Sequence, residues 1–341
     1  MSFESLSERG KNILQALIDY YIATAQPVGS KVLANKFGLK ISPATIRNTM
    51  QDLEEMGLVR QPHTSAGRVP TDTGYRVYVD DLLEPENLAA SEKKKIEEEI
   101  LVDYKAIEEL LEQTARVLGN VSNELGVILS PRFDKGILTR IDLIPVAEKK
   151  ILVVLAVKSG LIKTILLEAE SNLETLALEK TQSILNERLC GLSLREIMDS
   201  MEERLKESSD ARLIKLFLDS KETLLTFQET EQLHLGGTPN IVNQPEFKDK
   251  DTLSSFIALV EEKKILAELI SAKGIKEGIT ITIGKELERG EVQSLSLVTS
   301  RYQAREVSGT IGIIGPTRMR YGKLVSLVDY TAKLLSKILS E

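Results

Sequence analysis

Arg47, Asn48 and Gln51 carry the most specific chemistry in this sequence. An arginine can donate two hydrogen bonds to guanine, and an asparagine or glutamine can pair with adenine. Helical spacing puts all three on one face with Ala44, whose methyl suits a thymine methyl, and with Glu55. Ile46, Met50, Leu53 and Met56 fall on the opposite face, which should pack inward. Ser42 and Thr45 stand at the helix start, where hydroxyls and backbone N–H groups meet phosphate. Further along, PHTSAGR supplies His63, Thr64, Ser65, Gly67 and Arg68, a basic turn that would rest on the adjacent backbone or minor groove. A solvated helix face accounts for any one of these residues. A reading face behind a capped start, followed by a Gly-containing basic hairpin, is a more specific signal.

Other chemistries lack their parts. His63 and His234 are the only histidines and Cys190 the only cysteine, so neither a metal cluster nor a Ser-His-Asp arrangement can be argued. GTIGIIG places glycines at 309, 312 and 315, the wrong spacing for a dinucleotide turn, and no acidic residue follows where one is needed. Asn120-Val121-Ser122 fits a common glycosylation pattern in what reads as the wrong compartment. No catalytic residue, cofactor site or metal site is expected.

The elements that must hold the reading face are legible in order. Ile13, Leu14, Leu17, Ile18 and Tyr21 predict a helix over 7–24, ended by Pro27. A short helix follows over Ser30–Phe37, with Val32, Leu33 and Phe37 inward, and Gly38 turns the chain. Ser42-Pro43 starts the third helix and Gly57 can end it. Leu58–Gln61 and Arg68–Pro70 predict a two-stranded hairpin, and Thr71–Leu83 a helix. Helix, turn, helix and hairpin make a winged helix-turn-helix, closed by the polar break Glu84–Asn87.

Beyond it, the stripe from Ile96 to Leu125 predicts one long helix over 91–125. Strands are expected at 137–147, 150–158 and 162–170, helices through 171–230, a loop at GGTPNIVNQP and a helix over 251–272. ITITIG, SLSLVTSRY and GTIGIIG predict strands, and Tyr321–Leu339 a closing helix. One antiparallel sheet joining both sets of strands, with the helical middle inserted, is the simplest arrangement.

The chain's 341 residues call for two or three domains. Net charge is −7, which alone opposes nucleic-acid binding. Between Lys31 and Arg76, however, seven basic residues face four acidic ones, a local basic island in an acidic chain. The polar N-terminus does not read as a signal peptide, and the apolar run Ile151–Val157 is too short to span a bilayer. A cytoplasmic protein without membrane contact is expected.

The stretch ISPATIRNTMQDLEEMGLVRQPHTSAGRVPTDTGYRVYVDDLL closely resembles the heat-inducible transcription repressor family (HrcA). SLVTSRY, GTIGIIGPTRMRY and GGTPNIVNQPEF are similar to that family's other blocks, so the resemblance runs from about residue 5 to about 338. It implies an α+β chain: a winged helix over 1–85, a GAF-like antiparallel-sheet domain over 88–170 and 273–341, and a mostly helical inserted dimerisation domain over 171–272. It also implies a homodimer on an inverted-repeat operator of double-stranded DNA before chaperone genes, activity modulated by the chaperonin, and release on heating. It favours Arg318 and Arg320 as a contact between GAF-like domains. One departure is that Glu286 precedes Leu287, where the family commonly has Asn. The alternative is a metabolite-sensing winged-helix regulator with a ligand in the GAF-like domain. An enzyme lacks a recognisable nucleophile, and a pure chaperonin-binding module leaves the reading face without a use.

Overall fold

Ser7 opens the first helix by accepting a hydrogen bond from Gly10 N at 3.2 Å. The computed structural model describes residues 6–38, 41–63, 66–102, 104, 107–131, 136–158, 162–169, 174–206, 211–225, 233–271, 278–304 and 307–340. Helix α1 spans Glu8–Thr24 and ends short of Pro27, with Ala25 left-handed at φ 55°. Helices α2 (Ser30–Lys36) and α3 (Pro43–Glu55) follow. Strands β1 (Val59–Arg60) and β2 (Val69–Pro70) form the hairpin, and Val28 bridges to Arg68 beside it. Helix α4 (Asp72–Val77) continues through a π turn, Tyr78–Leu82. Ile13, Leu14, Leu17, Leu33, Ile46, Leu53 and Leu58 are essentially fully buried. Each such side chain contributes about 1.5–3 kcal/mol of burial. Two inward expectations fail: Phe37 and Met56 are 38% and 50% exposed, because each sits at its helix's C-cap, off the packed stripe.

By its contacts the chain divides into two compact units. The first comprises Met1–Leu129, Leu233–Arg301 and Thr310–Leu334. It holds the winged helix and a five-stranded sheet in the order β7-β3-β10-β9-β8. These strands are β3 (Leu125–Leu129), β7 (Leu233–Gly236), β8 (Ile279–Ile283), β9 (Leu295–Ala304) and β10 (Val307–Pro316). The described registers of β10 with β3, β3 with β7 and β8 with β9 are antiparallel. Instead of one helix over 91–125 there are two, α5 (Ala90–Ile100) and α6 (Ile107–Ser122). Within the expected GGTPNIVNQP loop lies a short helix, α11 (Thr238–Val242), and the expected helix over 251–272 is two, α12 (Lys250–Glu261) and α13 (Lys263–Ser271). Helix α6 lies flush on the sheet: a Cβ added at Gly126 would stand 2.2 Å from the Ala115 carbonyl oxygen, and one at Gly236 2.3 Å from Arg116 N. The closing helix α14 (Tyr321–Ser340) takes Glu97 of α5 through its Tyr330 hydroxyl at 2.5 Å.

The second unit comprises Ser130–Gln232, Tyr302–Gly309 and Leu335–Glu341. Its sheet has three antiparallel strands, β4 (Leu138–Ala147), β5 (Lys150–Val157) and β6 (Ile162–Glu168). The single-sheet expectation is therefore wrong. These strands pair among themselves and share a core with α7 (Thr175–Leu189), α8 (Leu194–Leu205), α9 (Ala211–Asp219) and α10 (Lys221–Leu225). Asn186 and Gln182 of α7 explain the separation. Asn186 bonds both Ile141 N (2.9 Å) and Ile141 O (2.7 Å), and Gln182 accepts from Leu143 N at 2.8 Å. Those side chains occupy main-chain groups on the β4 edge that another strand would need.

Candidate nucleic-acid interface

Helix α3 is built to present one face. Ser42 caps it by accepting from Thr45 N at 3.1 Å, and the two hydroxyls meet at 3.0 Å. Pro43 occupies the first turn, where no N–H is needed. Gly57, at φ +73°, ends it in a conformation that costs a side-chain-bearing residue. Ile46, Thr49, Met50 and Leu53 are buried against the neighbouring helices. Ala44, Arg47, Asn48, Gln51 and Glu55 are exposed together, so the expected reading face is one continuous surface. Gln51 donates to Glu55 at 3.3 Å. Arg47 and Asn48 form no hydrogen bond or ion pair with any described residue, which leaves their donors available.

The wing is more constrained than its sequence shows. Arg68 Nη2 pairs with Glu54 Oε2 at 2.7 Å, and its Nε is buried without a hydrogen bond among the described residues. Glu54 also accepts from Gln61 N at 3.0 Å, and Gln61 donates to Ala66 O at 3.1 Å. Gly67 approaches the chain itself: a Cβ there would lie 2.4 Å from the Val28 carbonyl carbon and oxygen. In this arrangement Arg68 and Gly67 hold the wing to its own helices. His63 is exposed; Thr64 and Ser65 lie outside the described residues. Arg60 is the residue that sequence reasoning left unassigned. It is exposed while its neighbour Val59 is buried, an alternation that could have marked it.

Arg318 and Arg320, expected between GAF-like domains, have partners within the chain. Arg318 is nearly buried and donates to Glu246 Oε1 (2.6 Å), Gln244 Oε1 (2.9 Å) and the Ile22 carbonyl at the end of α1 (2.7 Å). Arg320, mostly exposed, reaches Glu86 at 3.3 Å. Beside Arg318 lies Glu124. Burial pushes its carboxyl up to about 8, against the pull of Arg318, and its Oε2 has no hydrogen bond among the described residues.

Among the described residues no group of three or more His, Cys, Asp or Glu side chains is placed to hold a metal ion. No described helix is long and apolar enough to cross a membrane.

A capped reading helix followed by a hairpin wing defines a winged helix-turn-helix of the DNA-binding transcription regulators. The comparisons agree on the particular family. Residues 5–81 match the winged helix-turn-helix transcription repressor, HrcA DNA-binding family model, and residues 108–325 match the HrcA protein C terminal domain. The chain belongs to the heat-inducible transcription repressor HrcA family. It is 36% identical to the heat-inducible transcription repressor HrcA of Chlorobium phaeobacteroides (strain BS1), with 100% of both chains covered. It is 37% identical to that of Geobacter sulfurreducens, with 98% of each covered. It is similar in fold to a crystal structure of a hypothetical protein, at 24% identity and a TM-score of 0.59, covering 98% of this chain and 99% of that one.

Proposed function

We propose that this chain represses chaperone genes as a homodimer on an inverted-repeat operator, and that heat relieves the repression. The exposed Ala44–Arg47–Asn48–Gln51 face of α3 is the observation that carries this reading. Arg47 would donate to guanine, Asn48 and Gln51 would pair with adenine, and Ser42 and Thr45 would meet phosphate at the helix N-terminus. His63, Thr64 and Ser65 would form the wing's contact, with Gly67 setting its backbone against Val28 and Arg68 joining only by leaving Glu54.

One reading helix per protomer calls for a second copy. The outer face of the β4–β6 sheet supports where it binds. Ile144, Leu152 and Leu166 form one row across the three strands, and Ala156 and Ile162 another. Ile144, Leu166 and Ile162 are 46%, 54% and 65% exposed. The two rows are separated by Asp142, Val154 and Thr164, and Arg140 stands opposite Ala156, so the face sets exposed apolar rows among polar ones, a mix that fits an interface between copies. The dimerising insertion is then better placed at 130–232 than at 171–272, and the five-stranded sheet would be the GAF-like body. Family membership supports modulation by the chaperonin and a cytoplasmic location.

Footprinting the purified protein on its own chaperonin promoter, with and without chaperonin, tests the whole reading. Protection of an inverted repeat is expected, stronger with chaperonin. Uniform protection of all DNA at equal affinity would overturn it.

A further inference from the structure

Asp72 and Arg76 stand one turn apart on α4, and both reach the turn that follows β8. Asp72 Oδ2 accepts from Lys285 N at 3.2 Å. A Cβ at Gly284 would collide with that carboxylate at 2.5 Å, so the approach needs a glycine there. Arg76 donates through Nε to Glu286 Oε1 at 2.8 Å and through Nη2 to Glu286 Oε2 and the Ile281 carbonyl, the latter at 2.9 Å. Glu286 is itself held by Ile283 N at 2.9 Å. A two-pronged arginine–carboxylate contact, backed by a second hydrogen bond on each side, fixes angle as well as distance.

At its other side α4 is locked to the end of the reading helix. Thr71 Oγ1 donates to Gly57 O at 2.6 Å, and Thr71 N to Leu58 O at 3.1 Å. A Cβ at Gly74 would stand 2.0 Å from Leu58 O, so the backbones touch. Glu286, Arg76, Thr71, Gly57 and α3 therefore form one unbroken mechanical path. Helix α3 has 13 residues, a length of about 20 Å. Tilting it by about 10° at its anchored end would move the far end by about 3.5 Å, close to one base-pair step.

Resting on the proposed dimeric operator reading, we propose that Arg76 and Glu286 are positioning residues for DNA recognition: they set the angle of the reading helix on the body and so the half-site spacing the dimer accepts. They touch no base. Their loss loosens spacing without weakening the grip on one half-site.

The test uses full-length protein and operators whose half-sites are moved apart in single base-pair steps, beside a lone half-site duplex. Wild type should prefer one spacing by about tenfold over its neighbours, the scale of one misplaced base pair. R76A and E286A should flatten this below about threefold, the double variant should be no flatter than either single, and lone half-site affinity should stay within about twofold. E286Q and R76K, which keep shape or charge but lose the two-pronged pair, give the same reading should an alanine variant fail to fold. Weaker binding at every spacing with the preference intact would overturn the positioning role. A wild type that shows no spacing preference and no operator preference would instead overturn the dimeric operator reading beneath it.

Discussion

Arg68 lies 2.7 Å from Glu54, so the wing's most conspicuous cation is tied to the C-terminal turn of α3. The pair couples the two elements of the proposed DNA-binding surface. Phosphate and Glu54 then compete for one guanidinium, and the outcome of that competition can be measured.

Glu54→Gln should strengthen binding to all DNA sequences and steepen the salt dependence by about one unit, because Arg68 is freed for a phosphate. In an Arg68→Ala background the same change should do nothing. Affinity measured over a salt series checks both. Arg60→Ala, removing an exposed cation on β1, should flatten the slope by about one unit. An unchanged slope takes Arg60 off the DNA.

Alanine at Arg47, Asn48 or Gln51 should cost about 1–3 kcal/mol on the cognate operator and much less on random DNA. Competition binding with both duplexes separates the two. Equal losses would mean these side chains touch phosphate alone.

Stability should carry the signature of Glu124. Its carboxyl titrates at about 8 in the folded chain, through burial, against an ordinary value of 4.5. The folded form thus holds a proton that the unfolded form has released. Its contribution is complete below about pH 4.5 and is lost as pH rises towards 8, with a slope of up to about 1.4 kcal/mol per pH unit. Glu124→Gln should remove that slope and be the more stable protein at pH 8. Denaturant unfolding of both across pH 5–9 gives the difference, and parallel curves would place the shift elsewhere.

Arg318→Met should destabilise the fold by about 3 kcal/mol, since Glu246 would be left half-buried without its partner. Hydrogen exchange should report the loss first at the end of α1, where Ile22 O loses its donor. Protection lost uniformly across the first unit would mean that Arg318 does not anchor α1 in particular.

A charge on the outer face of the three-stranded sheet should separate the copies. Leu166→Asp places a carboxylate in the apolar row with Ile144 and Leu152. Sedimentation should then show a monomer that binds a lone half-site and fails on the full operator. A variant that remains dimeric moves the interface off this sheet.

The winged helix was the most legible part because its punctuation is local: Ser42-Pro43 and Gly57 act through bonds to residues within a few positions. The break between α5 and α6 was hidden because Ile100 and Ile107, on either side of it, stay in helical phase. Strand β3, LGVIL, is buried at every position, so it lacks the alternation that marks a half-exposed strand. Alternation identified β4, β5 and β6 but says nothing about which sheet a strand joins; Asn186 and Gln182, 45 and 39 residues from the edge groups they occupy, bear on that instead. Of the interface, the exposed face of α3 followed from its period, whereas Glu54–Arg68 and Arg76–Glu286 depend on how distant segments fold back.

The amide side chains along β4 also bear on how copies of the second unit can meet edge to edge. A sheet with two open margins can recruit copies at both and lengthen into a fibre. Here Asn186 and Gln182 occupy main-chain groups on one margin, and β6, at the other, pairs only with β5 among the described residues. Among the described residues recruitment along the strands is one-sided, and a symmetric meeting of two copies at β6 would leave no further margin to extend. Edge-to-edge pairing of this kind stops at two copies.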